Sequence, residues 1–125
     1  NDAQAEWDVY NNMAIAHLRK DELDKAKDAL FHSIDIEKTA EALNNLGHIL
    51  LIENEIDQAI KYLKQAIELG PTFVGAHNNL ATAHKMNKNY LMAIDCFKKS
   101  IHINKNSNPL IPGLVNAYLG AFPFR

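Results

Sequence analysis

A period of 33 or 34 residues is the feature that most constrains the fold of this chain. A paired asparagine followed by an apolar and then a tiny residue occurs three times, beginning at residues 11, 44 and 78. Self-similarity at a fixed period in the range of roughly 20–50 residues indicates an architecture of stacked repeats. The chain therefore divides into three units, residues 7–39, 40–73 and 74–107, followed by residues 108–125.

Small side chains recur at three fixed positions of each unit. Positions eight, twenty and twenty-seven carry Ala14, Gly47 and Ala81, then Ala26, Ala59 and Ala93, then Ser33, Ala66 and Ser100. Apolar residues recur at helical spacing on both sides of a short polar break, and small residues between two helices let their backbones approach closely. Each unit is therefore predicted to be a pair of antiparallel helices. Such a pair stacks on copies of itself because it cannot bury its own apolar stripe.

The units resemble the tetratricopeptide repeat (TPR), and the middle unit resembles it most closely. The residues that carry the resemblance are Leu43, Leu46, Gly47, Leu50, Ala59, Leu63, Ala66 and Pro71. The resemblance implies an all-α fold, a TPR solenoid of three antiparallel helix pairs stacked into a superhelix, in a single domain. It also implies that the chain binds another protein. His77 departs from the large apolar residue expected at position four, and His17 and His84 depart from the aromatic residue expected at position eleven.

Charge and composition exclude several classes of function. The net charge is −4 over residues 1–40, −3 over residues 41–73 and +5 over residues 74–125. A phosphate backbone usually requires a basic face with interleaved aromatic residues, so no nucleic-acid partner is predicted. No run of eighteen apolar residues is present, so no membrane span is predicted. The lone Cys96 is compatible with a cytoplasmic location, and a chain that begins at Asn1 is expected to be a processed chain or a fragment.

The sequence contains no motif that carries catalysis. Six histidines are present, but they form no H-E-x-x-H pattern, and a Gly-rich phosphate loop and a G-x-S-x-G elbow are also absent. We therefore predict no catalytic residue, no metal site and no cofactor, and a protein that is not an enzyme. His17, His77 and His84 are expected to pack in the core of the repeats.

The paired asparagines occupy positions five and six of each first helix, which in the TPR resemblance line the concave groove. Asparagine is a poor helix former, roughly 0.5–0.7 kcal/mol worse than alanine, so a polar face alone does not account for six of them. Either their amides hydrogen-bond between neighbouring helices, or they bind the backbone of an extended peptide, as in other peptide-binding TPR arrays. The predicted ladder is Asn12, Asn45 and Asn79. The other predicted groove residues are Asn11, Asn44, Asn78, Asp8, Glu41, His48 and Thr82.

Chaperone-binding members of the family hold a C-terminal carboxylate with cations and amides at five positions. In this chain the five positions are occupied by Asn11, Ile15, Asn45, Gly75 and Asn79. Only Asn45 matches, and every cationic member is missing, so little is left to hold a carboxylate. The groove is predicted to be nearly neutral and to prefer extended, polar or mildly apolar segments over acidic tails.

Residues 108–125 are almost entirely apolar, and Pro112 suits the first turn of a helix. This segment is predicted to form a capping helix that folds back over the third repeat. Otherwise the protein continues beyond it, or a second copy pairs through Tyr118, Leu119, Phe122 and Phe124. The sequence therefore leaves three functions open, namely a peptide-binding adaptor, an assembly or scaffold element, and the targeting array of a larger protein.

Overall fold

Six α-helices make up the part of the chain that the structure, a computed structural model, describes, which is residues 2–105. They are α1 (Asp2–Arg19), α2 (Leu23–Ile36), α3 (Ala40–Ile52), α4 (Ile56–Leu69), α5 (Val74–Met86) and α6 (Tyr90–Lys105). Helices α1 and α2, α3 and α4, and α5 and α6 pack as pairs. The prediction of an all-α solenoid of three helix pairs is confirmed. The predicted C-terminal cap and its residues Tyr118, Leu119, Phe122 and Phe124 lie outside the described residues.

Each helix pair turns at a residue whose backbone is left-handed. Asp21, Asn54 and Lys88 have φ angles of 62°, 63° and 62°. The N–H of the following residue donates to a carbonyl five residues back, as from Asn89 to His84 at 2.8 Å. This Schellman arrangement satisfies the last carbonyls of the first helix. The polar breaks of the sequence are therefore tight helix-to-helix turns.

Replacing Lys88 by glycine is expected to stabilise the third repeat by about 0.5–1 kcal/mol. A non-glycine residue in the left-handed region costs roughly 1–2 kcal/mol, and the greater freedom of glycine in the unfolded chain offsets part of that gain. Urea unfolding of Lys88→Gly checks this, with Lys85→Gly as the matched control. Lys85 lies inside α5, so that substitution is expected to destabilise by about 1 kcal/mol. Destabilisation by Lys88→Gly would contradict the prediction.

The first helix of each pair lies on the inner side of the solenoid. Cα atoms of α1 and α3, and of α3 and α5, lie within 8 Å of each other, whereas within the described helices no Cα atoms of α2 and α4, or of α4 and α6, are that close. The first helices are thus closer together than the second helices, so the stack curves towards them. Helices α1, α3 and α5 therefore provide the concave face.

The small residues at the three fixed positions are all buried. The tightest of these contacts is at Gly47 in α3, where a Cβ atom would lie 2.6 Å from Cγ of Leu63 in α4. Leu63 is itself fully buried. The glycine at position eight therefore lets α3 and α4 approach more closely than a side chain would allow.

The end of the array at α1 exposes an apolar face. Val9 is 55% and Met13 is 43% exposed, although Met13 is the counterpart of the buried Leu46 and Leu80. In the later repeats the first helix packs on the second helix of the preceding repeat, α3 on α2 and α5 on α4. No repeat precedes α1 among the described residues, so the apolar pattern of the first unit leaves this face uncovered.

Candidate functional site

The paired asparagines lie on the concave face at three different depths. At position five, Asn11 and Asn44 are buried and Asn78 is half-buried. At position six, Asn12 is exposed, whereas Asn45 and Asn79 are half-buried. Position five thus belongs mainly to the packed interior, and position six borders the groove.

Hydrogen bonds join position six of one repeat to position five of the preceding repeat. Nδ2 of Asn45 donates to Oδ1 of Asn11 at 2.9 Å, and Nδ2 of Asn79 donates to Oδ1 of Asn44 at 2.8 Å. Nδ2 of Asn11 in turn donates to Oε1 of Glu41 at 2.6 Å. We call these four asparagines the amide ladder. The ladder ties α1 to α3 and α3 to α5, which is the stacking role that the sequence left open.

The amide ladder leaves part of each position-six side chain unused. An asparagine amide has two N–H donors and one carbonyl acceptor. Asn45 and Asn79 each donate one N–H to an asparagine of the preceding repeat. Their Oδ1 atoms make no hydrogen bond within residues 2–105. Each side chain is therefore fixed in place while it keeps an acceptor and a donor. Stacking and ligand binding are compatible roles for the same amide.

The other predicted groove residues lie on the three first helices, Asp8 on α1, Glu41 and His48 on α3, and Thr82 on α5. Asp8, Glu41, His48 and Thr82 are all exposed. Among them the structure brings Glu41 into contact with Asn11, and Oγ1 of Thr82 donates to the carbonyl of Asn78 at 3.0 Å within its own helix. The two carboxylates lie at position two of the first and second repeats, on α1 and α3.

Sequence reasoning missed the partners of the position-five amides. The bond between Asn11 and Glu41 joins residues 30 positions apart, and the bonds of the amide ladder join residues 34 and 35 positions apart. A separation of one repeat plus one residue is the signal that could have indicated the two bonds between asparagines, because it places position six of one helix beside position five of the preceding helix, but it does not indicate the bond to Glu41.

Two of the three histidines expected in the core, and the cysteine, are packed side chains, whereas His17 is only half-buried and its Nδ1 lies 2.9 Å from Oε1 of Glu22. His77 and His84 are buried, and Nε2–H of His77 donates to the carbonyl of Pro71 at 2.8 Å. Burial, and to a smaller extent the charge of Lys64, lowers the pKa of His84. Burial raises the pKa of Cys96, so its thiol is protonated at neutral pH. Among the described residues, no group of three His, Cys, Asp or Glu side chains is arranged to hold a metal ion.

Sequence comparison matches two segments of the chain to the tetratricopeptide repeat, residues 40–73 and residues 62–95. Among curated relatives, human protein O-mannosyl-transferase TMTC3 is 30% identical over 87 residues, which is 64% of this chain and 10% of the relative. The bovine BBSome complex member BBS4 is 28% identical over 68 residues, which is 54% of this chain and 13% of the relative. The chain thus corresponds to a small part of each relative, including the one named as a transferase.

Solved structures of TPR domains share the fold over nearly the whole chain. The TPR2B domain of yeast Sti1, in a complex described as TPR2B-domain:pHsp70, has a TM-score of 0.89 at 21% identity, covering 97% of this chain and 99% of the other. The first TPR of Spaghetti (RPAP3), bound to the HSP90 peptide SRMEEVD, has a TM-score of 0.87 at 12% identity, covering 96% and 93%. At these identities the likeness establishes the fold. Over residues 2–105, no helix has the length and apolar character needed to cross a membrane.

Proposed function

Since the chain belongs to the tetratricopeptide repeat family, we propose that it is a protein-interaction adaptor without catalytic activity of its own. Its concave face binds an extended segment of a partner protein. Asn12, Asn45 and Asn79 hold the backbone of that segment, one side chain per repeat. First helices of adjacent repeats lie roughly 10 Å apart and an extended peptide rises about 3.3 Å per residue, so these three position-six amides meet about every third residue.

The observation that carries this proposal is the fixed geometry of the position-six amides. Asn45 and Asn79 are held by the preceding repeat and keep an acceptor and a donor. A side chain that is already ordered loses little entropy when a ligand binds, whereas ordering a free side chain costs about 0.5–1.5 kcal/mol. Two preordered amides therefore favour binding over a groove lined by free polar side chains.

The charge of the groove favours a neutral or basic segment. Asp8 of α1 and Glu41 of α3 are both exposed. The structural neighbours in complex with the HSP90 peptide SRMEEVD and with pHsp70 support peptide binding as the function of this fold. In this chain the positions that would hold a terminal carboxylate carry no cation, so an acidic tail is disfavoured.

The decisive experiment separates the groove from the amide ladder. Asn12, His48 and Thr82 are exposed on the first helices, and their side chains do not join one repeat to another in residues 2–105, so replacing all three by alanine removes groove contacts and leaves the stacking bonds. The control variant replaces Asp57 and Gln58, which are exposed on α4. Proteins captured from the source lysate are identified by mass spectrometry and their binding segments titrated as peptides, with circular dichroism to check the fold.

The affinity of a segment that binds the groove is expected to fall by about tenfold or more in the groove variant and to be unchanged in the control variant. The Asn12/Asn45/Asn79→Ala variant is expected to lose binding as well, and also some thermal stability. Equal binding by wild type and both alanine variants would overturn the proposal, because the contact would then lie outside the concave face.

A second candidate function is assembly through the ends of the array. Val9 and Met13 form an exposed face of α1, whereas α3 and α5 each pack on the second helix of the preceding repeat. The last repeat of a second copy is a fitting occupant, because residues 74–105 carry five lysines and one acid while residues 1–40 carry a net −4. Sedimentation should show concentration-dependent association that Met13→Glu abolishes, and a wild-type monomer at all concentrations would exclude it.

A further inference from the structure

The outer side of the solenoid has a cleft between the second and third repeats. Two adjoining cavities lie in this cleft, one of about 410 Å³ lined by α4, α5 and α6 and one of about 300 Å³ lined by Pro71, α5 and α6. His77 and Lys99 line both of them. No Cα atoms of α4 and α6 lie within 8 Å of each other, and α5 lies between the two helices at the base of the cleft. The cleft therefore opens away from the concave groove.

The floor of the cleft is apolar and fixed. Ile67 of α4, Leu80 of α5 and Cys96 of α6 line the larger cavity, and Ile103 of α6 lines the smaller one. The hydrogen bond from His77 to the carbonyl of Pro71 holds the imidazole between the two cavities. A volume of roughly 300–1,000 Å³ is the range in which proteins bind small ligands and side chains.

The rim of the cleft is cationic. Lys64 of α4 and Lys98 and Lys99 of α6 line the cavities, and Glu68 is the single acidic residue among the lining residues. Over residues 2–105 none of these three lysines forms an ion pair. An apolar floor within a rim of unpaired cations is complementary to a ligand that combines negative charge with an apolar side chain.

We propose that this cleft docks an acidic segment of a partner protein, with one large apolar side chain of the segment inserted between α4 and α6. The acidic side chains of the segment pair with Lys64, Lys98 and Lys99. Residues 106–125 of this chain contain no Asp or Glu, so charge complementarity favours a partner over the chain's own remaining segment. The lining also contains no Phe, Tyr or Trp on which a nucleic-acid base could stack.

The test uses a fluorescent, capped octapeptide of sequence Asp-Glu-Asp-Leu-Phe-Glu-Asp-Glu and the full chain. Binding is measured by anisotropy at low salt, and the site is mapped by amide chemical shifts. The peptide is expected to shift resonances of His77, Leu80 and Cys96. Lys99→Glu is expected to weaken binding by about tenfold or more, because a repulsion replaces an attraction. The matched control is Lys85→Glu, which makes the same charge change on exposed α5 surface and is expected to alter binding by less than about twofold.

Two further peptides separate charge from apolar anchoring. A version with lysine at every acidic position is expected not to bind, and a version with serine in place of Leu-Phe is expected to bind about tenfold more weakly. Equal loss with Lys99→Glu and Lys85→Glu would overturn the proposal, since it would indicate attraction to net charge alone. Shifts confined to the concave face, or the same shifts produced by raising the concentration of the protein without peptide, would also overturn it.

Discussion

Replacing Gly47 by valine, or Leu63 by alanine, is expected to destabilise the fold strongly, and the two changes together are expected to cost much less than their sum. A Cβ at residue 47 would lie 2.6 Å from Cγ and 2.7 Å from Cδ2 of Leu63, so valine overpacks the contact between α3 and α4 by about 2–3 kcal/mol. Alanine at residue 63 leaves a cavity in a fully buried site, which costs about 3 kcal/mol.

The double variant tests whether the steric clash of valine at residue 47 and the cavity left at residue 63 occupy the same volume. Valine at residue 47 can occupy the volume that the missing isobutyl group of Leu63 vacates, so the double variant is expected to lose only about 2–3 kcal/mol, which is a coupling within the range seen for residues in contact. Urea unfolding monitored by circular dichroism measures all three variants. The control is Ala16→Val on an exposed position of α1, where helix propensity alone costs about 0.6 kcal/mol. Simple additivity in the double variant would contradict the packing account.

Asn11→Ala is expected to lower the free energy of unfolding by about 1–2 kcal/mol, while the neighbouring Asn12→Ala is expected to raise it by about 0.5 kcal/mol. The Asn11 side chain is fully buried, donates to Glu41 and accepts from Asn45. Its removal deprives two groups of their partners, which costs about 1–3 kcal/mol and outweighs the better helix propensity of alanine. Asn12 is exposed, so only the propensity gain remains.

A second variant at residue 11 separates the hydrogen bond to Glu41 from the hydrogen bond with Asn45. Asn11→Asp keeps an oxygen that accepts from Asn45 but places a carboxylate beside Glu41, so the repulsion is expected to destabilise it further at neutral pH than at acidic pH. Thermal unfolding at two pH values measures the difference. Equal stability of the Asn11 and Asn12 variants would show that the amide ladder contributes nothing to stacking, and the asparagines would then need another explanation.

The fold was predictable because steric rules for helix pairs leave few choices. A tiny residue at position eight, as at Gly47, and alanine at position twenty, as at Ala59, are needed wherever two helices approach closely, and the need repeats with each unit. The left-handed turn residue was less predictable. Asn54 suits that conformation, but Lys88 does not, so the geometry there is imposed by the packing of α5 on α6 and by the hydrogen bond that closes the turn.

The residues of the candidate site could be predicted from the sequence, but the hydrogen bonds between them could not. The pairing of Asn45 with Asn11 depends on the stagger between α1 and α3, which no residue identity specifies. The exposure of Met13 likewise depends on what precedes α1 in space, because its sequence environment is the same as that of the buried Leu46. The sequence therefore left stacking and peptide binding as alternatives, whereas the amide geometry makes them compatible.

The restriction of contacts to neighbouring repeats has a consequence for how the molecule opens. Among the described helices, neither α1 nor α2 contacts α5 or α6, so no interaction closes the stack into a single cooperative body. Stability is then a sum of local interfaces, and either outer pair can fray while the middle pair stays folded. Amide protons of α3 and α4 should exchange most slowly with deuterated solvent. A peptide bound across all three repeats would connect the outer helix pairs, which do not contact each other directly. Its binding should therefore slow amide-proton exchange in both outer pairs.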